Sequence, residues 1–543
     1  MKKYFNKLTI LVAAIGFSLT SCDSLNLSPE DYPAQGNFWK NEAQVAGAMY
    51  GLHTQLRNSY WSYWILGEAR SGTQRSGSGS LGAALFSPEI MDNTLTQNTP
   101  GYSNWVGYYR QIMDINLFIE QVEPMGADII NKNTKELYLA QAYSLRAFYY
   151  FHLLRTYGGV PIEKKAIVVE GNPDVTVYYT PRSTYEETLT FIKEDLKNSD
   201  AKFAASGYPA VGSGREMWNK AATKMLIADV YLWSAKFNKT TYNEADLNTA
   251  MAALNDIPAA QFSLLNKYAN VFNYPNKGNK EIIMALNFSV ATGGNNFASQ
   301  FIYYQNDLSA QGCFGRDKEK MPSDTLSLVS TGIQRYEFSY KYFASYDEKD
   351  VRKRTNFMDY YKEGAFTDGK LDPTKLVRVN TGTILRKYLG TMETPSTRAY
   401  GDDYIVYRYA DVLMMRAEIK NALGQDPSAE INALRERAYR NTEGEPQPYP
   451  VYVNSDFATN ELAIFKEHAL ETPCEGKMWY DIIRMKQTKG GDPLVFSAAA
   501  SFREDGAAVL DKATQSHMLV WPIDKNTITN NPKITPNPGY AIF

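Results

Sequence analysis

The sequence predicts a mainly α-helical protein, with tandem helix pairs stacked as a superhelix and a loop-rich C-terminal region of minor β content. Three observations carry that expectation. Apolar residues recur at alternating spacings of three and four in one segment after another, the period of a helix face. Small residues stand at the contact positions of these segments, with aromatics between them as fillers. From Tyr268 to about Tyr404 the helical period lapses, and afterwards it returns.

Taken in order, Asn41–Leu56 reads as a first helix, and Tyr60–Gly101 as an irregular stretch with aromatics at its start and many glycines and serines after them. A long loop in a compact chain is either functional or disordered. The clearest unit is Trp105–Pro161. Trp105, Tyr109, Ile112, Asn116 and Ile119 share one helical face. The second helix sets Ala140, Ala142 and Ala147 among Leu139, Tyr143, Leu145, Phe148, Phe151 and Leu154. Being apolar on more than one side, it is expected to be buried between other helices. Gly158-Gly159 and Pro161 end it. Further helices are expected at Thr184–Asn198, Trp218–Trp233 and Asn243–Leu254, which together suggest a tetratricopeptide-like array, although the strict repeat consensus is absent. Glu281–Phe288 has strand character. Helices return at Tyr404–Leu423, Ser428–Arg440, Glu461–Leu470 and Gly476–Met485, before an extended tail punctuated by prolines.

The N-terminus carries an address. Lys2, Lys3 and Lys7 precede the charge-free apolar run Leu8–Leu19, a signal-type pattern too short to span a bilayer comfortably. It ends in Leu19-Thr20-Ser21-Cys22, which resembles a bacterial lipobox whose cysteine is lipidated; the alternative is an ordinary signal peptide ending near a cysteine. Loss of residues 1–21 removes three lysines and no acid, taking the charge from −2 to −5. That balance argues against a nucleic-acid partner. The expected organisation is a signal peptide (1–21), a lipid-anchored tether (22–40), an N-terminal helical region (41–265) and a C-terminal region (266–543). The last divides into a loop-rich part (266–403), a helical part (404–490) and the tail. Cys313 and Cys474 could pair, but two cysteines make no framework in a chain this long, and free thiols are favoured.

Catalytic signals are missing. The chain holds no HExxH, no GxSxG and no CxxC, and its one GxGxxG, Gly77–Gly82, lacks the preceding strand and following helix that a nucleotide site needs. No catalytic residue, metal ligand or cofactor is therefore expected. Glu467 and Glu471, four apart, read as a solvated helix face, and His152 as a core histidine.

Several segments, in their order along the chain, resemble the SusD/RagB-like family of Bacteroidetes outer-membrane lipoproteins. They include the lipobox at Cys22, the Trp105–Asn116 helix, Leu145-Arg146-Ala147 running to Tyr157-Gly158-Gly159-Val160-Pro161, and Arg182-Ser183 before a helix ending Asp195-Leu196. Tyr407-Arg408-Tyr409-Ala410-Asp411 continuing to Glu418 and Asn421, Arg437, Glu475-Gly476 with Trp479, Asp481 and Arg484, and the ending Trp521-Pro522 to Gly539-Tyr540 complete the match, with Pro536 where a Gln is usual. The resemblance implies four tetratricopeptide-like helix pairs wrapped by a loop-rich region, and a binding protein without catalysis. It implies a surface lipoprotein, held in the outer membrane by lipid on Cys22. Such a protein captures an oligosaccharide (in one branch, peptides) for a SusC-like TonB-dependent outer-membrane transporter. In that family ligand contacts come from variable loops. Here these would supply Trp61, Tyr63 and Trp64, with Arg70 and Arg75 nearby, and then Tyr303, Tyr304, Gln305, Phe314 and Arg316. An aromatic face suits the apolar face of a sugar ring, and polar side chains suit its hydroxyl rim. The competing expectation for Trp61 and Trp64 is burial in the core. Of the adjacent Tyr303 and Tyr304, a strand would turn at most one to the ligand.

Overall fold

The computed structural model describes residues 38–77, 87–102, 105–166, 175–291, 294–304, 307–328, 332–395 and 397–540. The leader, Cys22, most of the tether and Gln305 lie outside the described residues. About 48% of the chain is helical and 9% strand, so the fold is mainly α as expected.

The N-terminal array consists of α1 (Glu42–Asn58), α2 (Tyr60–Gly67), α3 (Val106–Val122), α4 (Lys132–Tyr157), α5 (Tyr185–Phe203), α6 (Lys220–Lys236) and α7 (Glu244–Asn255). Local chemistry starts these helices. Asn41, Asn131, Asn219 and Asn243 each accept a backbone N–H as N-cap, and α5 opens with a full capping box between Thr184 and Glu187. In α4 every residue from Leu139 to Tyr157 is buried. Its small residues let neighbours approach closely enough for a hydroxyl chain. Ser144 Oγ lies 2.6 Å from Ser199 Oγ of α5 and 2.7 Å from Thr223 Oγ1 of α6. Arg146 makes a two-pronged pair with Asp195 at 2.8 and 2.7 Å and donates to Asn116 Oδ1 at 2.8 Å, joining α3, α4 and α5.

The C-terminal region adds α8 (Tyr409–Ala422), α9 (Ser428–Ala438), α10 (Phe457–Glu471) and α11 (Met478–Arg484). Its strands are short antiparallel pairs. β1 (Gln74–Ser76) pairs with β3 (Tyr336–Phe338), β2 (Ile282–Leu286) with β6 (Tyr404–Arg408), and β4 (Phe357–Tyr361) with β5 (Thr381–Leu385). One apolar core runs from Val45 of α1 to Tyr540 of the tail, so the tail wraps back onto the array.

Three expectations are corrected. Tyr60–Gly101 is not irregular throughout: its aromatic start is helix α2, with Tyr63, Trp64, Ile65, Leu66 and Gly67 buried. Eight nearly all-apolar residues show no periodicity, and burial rather than pattern makes them a helix. Tyr404–Leu423 is not one helix. YIVYR is a fully buried strand, as its aromatic and β-branched content favours, and the helix begins at Tyr409, where Asp411 accepts the Arg408 N–H at 2.8 Å. Glu467 and Glu471 are not solvated. Both are buried, and Arg352 donates to them at 2.7 and 2.9 Å, with Arg408 and Arg437 also on Glu471. Their cations come from segments far away in sequence, beyond the reach of a local reading. His152 is a core residue, kept neutral by burial and by nearby Arg155, which lower its pKa well below the ordinary value. Cys313 and Cys474 are free and buried.

Candidate functional site

Where the N-terminal segment leaves α2 it pairs with a strand from the loop-rich part, and an open cleft of about 330 Å³ forms beside that pairing. Gln74, Arg75 and Ser76 of β1, Ser339 and Arg378 of the loop-rich part, and Arg503, Glu504 and Asp505 of the tail line it, with Pro88, Met91 and Asp92 alongside.

Its ionic groups are held to different degrees. Arg75 is buried, donating to Glu504 at 2.5 Å, to Glu337 at 3.2 Å and to the Thr381 carbonyl. Burial works to lower its pKa, but Glu337 and Glu504 outweigh that and raise it. Arg503 forks onto Asp505 at 3.1 and 2.5 Å, and that bond pulls the Asp505 carboxyl down to about 2. Arg378 donates to Ser76 Oγ at 2.6 Å and meets no carboxylate among the described residues. It stands between Val377 and Val379, which are 51% and 77% exposed. A planar guanidinium beside apolar surface, with donors to spare, can bind a hydroxyl rim or an anionic substituent.

Trp61 is half-buried. Its ring centroid is 4.8 Å from Trp64, 5.5 Å from Phe297 and 6.0 Å from Tyr336, the register partner of the cleft residue Ser76. Tyr63, Trp64, Arg70 and Tyr303, expected as ligand contacts, are instead core residues at 3%, 0%, 0% and 0% exposure, with no face left for a ligand. Arg70 stacks 4.0 Å over Trp479 and 5.2 Å from Trp521, donates to Asn93 Oδ1 and the Met518 carbonyl, and is lowered to about 10 by burial. The Tyr303 hydroxyl accepts the Leu326 N–H at 3.3 Å. Tyr304 is half-buried, and of the adjacent tyrosines only it retains surface. Phe314 packs 5.8 Å from Phe366, and Arg316 pairs with Asp359 at 2.8 Å and Glu348 at 3.0 Å. Among the described residues the N-terminal loop and the loop-rich part converge in the cleft through 74–76, 339 and 378, and 303–316 do not line it. The tail turn 503–505 was missed; its charged run Arg503-Glu504-Asp505 before Gly506 was the available signal.

Comparison with known proteins places this architecture. The profile of the SusD family matches residues 231–540, and one described as starch-binding, associating with the outer membrane, matches residues 67–232. The chain belongs to the SusD family. It is similar to the SusD-like protein P38 of Formosa agariphila, 25% identical over 99% of this chain and 100% of that one. A solved SusD superfamily protein from Bacteroides fragilis is 33% identical, with a TM-score of 0.81 over 93% of this chain and all of its own. A solved laminarin-binding SusD-like protein shares the fold at 18% identity, with a TM-score of 0.64 over 92% of this chain and all of its own. No helix among the described residues is long and apolar enough to cross a membrane.

Proposed function

We propose that this chain is a surface lipoprotein that binds an oligosaccharide without cleaving it and passes it to a SusC-like TonB-dependent transporter. Residues 1–21 are the leader in this reading, and lipid on Cys22 holds the protein to the outer membrane. The observation that carries it is the cleft itself: an open polar trough formed where three remote segments meet, with Arg378 unclosed by any described carboxylate and Trp61 packed on Tyr336, the register partner of the cleft residue Ser76. A family described as starch-binding and a laminarin-binding protein of the same fold support a glycan as the ligand class. An open trough suits an extended chain that must be held and then released; an enclosed pocket with converging acids would suit hydrolysis. Trp61, Arg378 and Arg503 are the proposed contacts, with Tyr304, Phe314 and Arg316 as a further surface on the same loop-rich part.

Calorimetry of the unlipidated chain against host, plant and microbial glycans tests this. Binding to one glycan class with no cleavage products is the expected outcome. Binding to peptides alone would sink it. Co-purification with a TonB-dependent transporter from native membranes tests the partner.

A further inference from the structure

Away from the cleft, a partly open cavity of about 50 Å³ lies where the helical array meets the C-terminal region. α2, α4, α6, β6, α8, α10 and α11 all contribute to its wall. Buried side chains in that wall carry polar atoms with no hydrogen-bond partner among the described residues: Nδ1 of His152, Nε of Arg155, the hydroxyl of Tyr404 and Nε2 of His468, with the hydroxyls of Tyr63 and Tyr480 beside them. Their other polar atoms do not all share that fate. His468 Nδ1 lies 2.7 Å from Asp481 Oδ2, and Arg155 Nη1 donates to Asp229 at 3.2 Å. The neighbouring charges are also paired, with Lys477 donating to both oxygens of Asp411 at 2.7 Å.

A stable core does not leave such polar groups desolvated around one space. Direct contacts do not close the first four, because they stand on three different elements, α4, β6 and α10, around the cavity. Arg155 Nε can only donate, while the tyrosine hydroxyl and the imidazoles can donate or accept. A ligand that both donates and accepts, and is small enough, satisfies them all. One water needs roughly 10–15 Å³ of such space.

We propose that this cavity is a structural water site, in which on the order of three ordered waters bridge His152, Arg155, Tyr404 and His468. The cluster supplies the hydrogen bonds that tie α4 of the array to β6 and α10 of the C-terminal region. It also backs α2, whose Tyr63 lines the cavity and whose Trp61 packs on Tyr336.

A high-resolution crystal structure of the unlipidated chain, grown with bromide in place of chloride, tests the occupant. Ordered density without an anomalous signal, within hydrogen-bond distance of the four named atoms, supports water. A dry cavity, or an anomalous peak showing a bound halide, overturns it. Tyr404→Phe gives an independent reading that needs no crystal. If the hydroxyl bonds to water, its removal lowers the midpoint of urea unfolding. If the cavity is dry, the change removes an unsatisfied group and the midpoint stays or rises, which overturns the proposal.

Discussion

The interior and the cleft are both rich in charge, and the contrast between them shows what to look for in a binding surface. Inside, Lys236 of α6 donates to Glu418 at 2.8 Å and Glu461 at 2.5 Å, and Arg484 forks onto Glu418 at 3.0 and 2.7 Å. Arg408 meets Glu281, Glu471 and Glu475 in the same way. Every one of these groups is almost wholly desolvated. Burial would push Glu418 up, yet Arg484 and Lys236 hold it well below the usual carboxylate range. Glu461, which shares Lys236 with Glu418, is instead pushed up by burial. In the cleft Arg75 is buried and paired, the Arg503–Asp505 pair is local and partly wet, and Arg378 is left over. Charge alone therefore marks nothing here. Charge matching separates the two regions: in the interior network each named charge meets an opposite one and joins the array to the C-terminal region, whereas in the cleft Arg378 keeps donors for something else.

The sharpest way to break this contrast is to open the interior network. Lys236→Met leaves buried Glu461 without a cation and Glu418 with Arg484 alone, and is expected to cost about 3–5 kcal/mol in urea unfolding. A loss below about 1 kcal/mol would mean the network is dispensable. The two tryptophans of α2 separate the regions next. Trp64→Ala should cost about 3–5 kcal/mol of stability. Trp61→Ala should cost less stability but weaken glycan binding about tenfold, or about 1.4 kcal/mol. Equal loss of stability in both would make Trp61 a core residue too.

Glu68 joins the regions, accepting the Cys474 and Gly476 backbone N–H groups at 2.8 and 2.9 Å. Burial raises its pKa to about 7 from 4.5, against those bonds, which lower it. The protonated form is thus the one the folded state prefers. Its contribution is complete below about pH 4.5 and is lost as pH rises through about 7. The stability of the wild type relative to Glu68→Gln should fall across that window, and a difference independent of pH would contradict the assignment. The smallest stability effect belongs to the cleft. Arg503→Ala removes an exposed pair and should change unfolding by less than about 1 kcal/mol while reducing glycan affinity. The reverse pattern would remove Arg503 from the site.

Much of the fold was legible because helix formation leaves local marks. The helices Thr184–Asn198 and Trp218–Trp233, the face of Trp105–Ile119 and the stop at Gly158-Gly159 were all marked by residues within a few positions of one another. The ordered motifs that resembled SusD were legible for the same reason, and the family profile bears that reading out. The candidate cleft was legible only in outline. Arg75 lines it, but Arg70 and Trp64 turned inward, because a side chain's direction depends on partners such as Trp479 and Phe301 that lie hundreds of residues off.

By itself, then, the sequence determined the helical array and the family. Tertiary structure alone decided that YIVYR is a strand, that Glu467 and Glu471 are buried anions, and that residues 74–76, 378 and 503–505 line one cleft. The physical reason is range. Backbone hydrogen bonding within a helix is settled by neighbours in sequence, whereas burial and charge pairing are settled by whichever distant segments the packed core brings together.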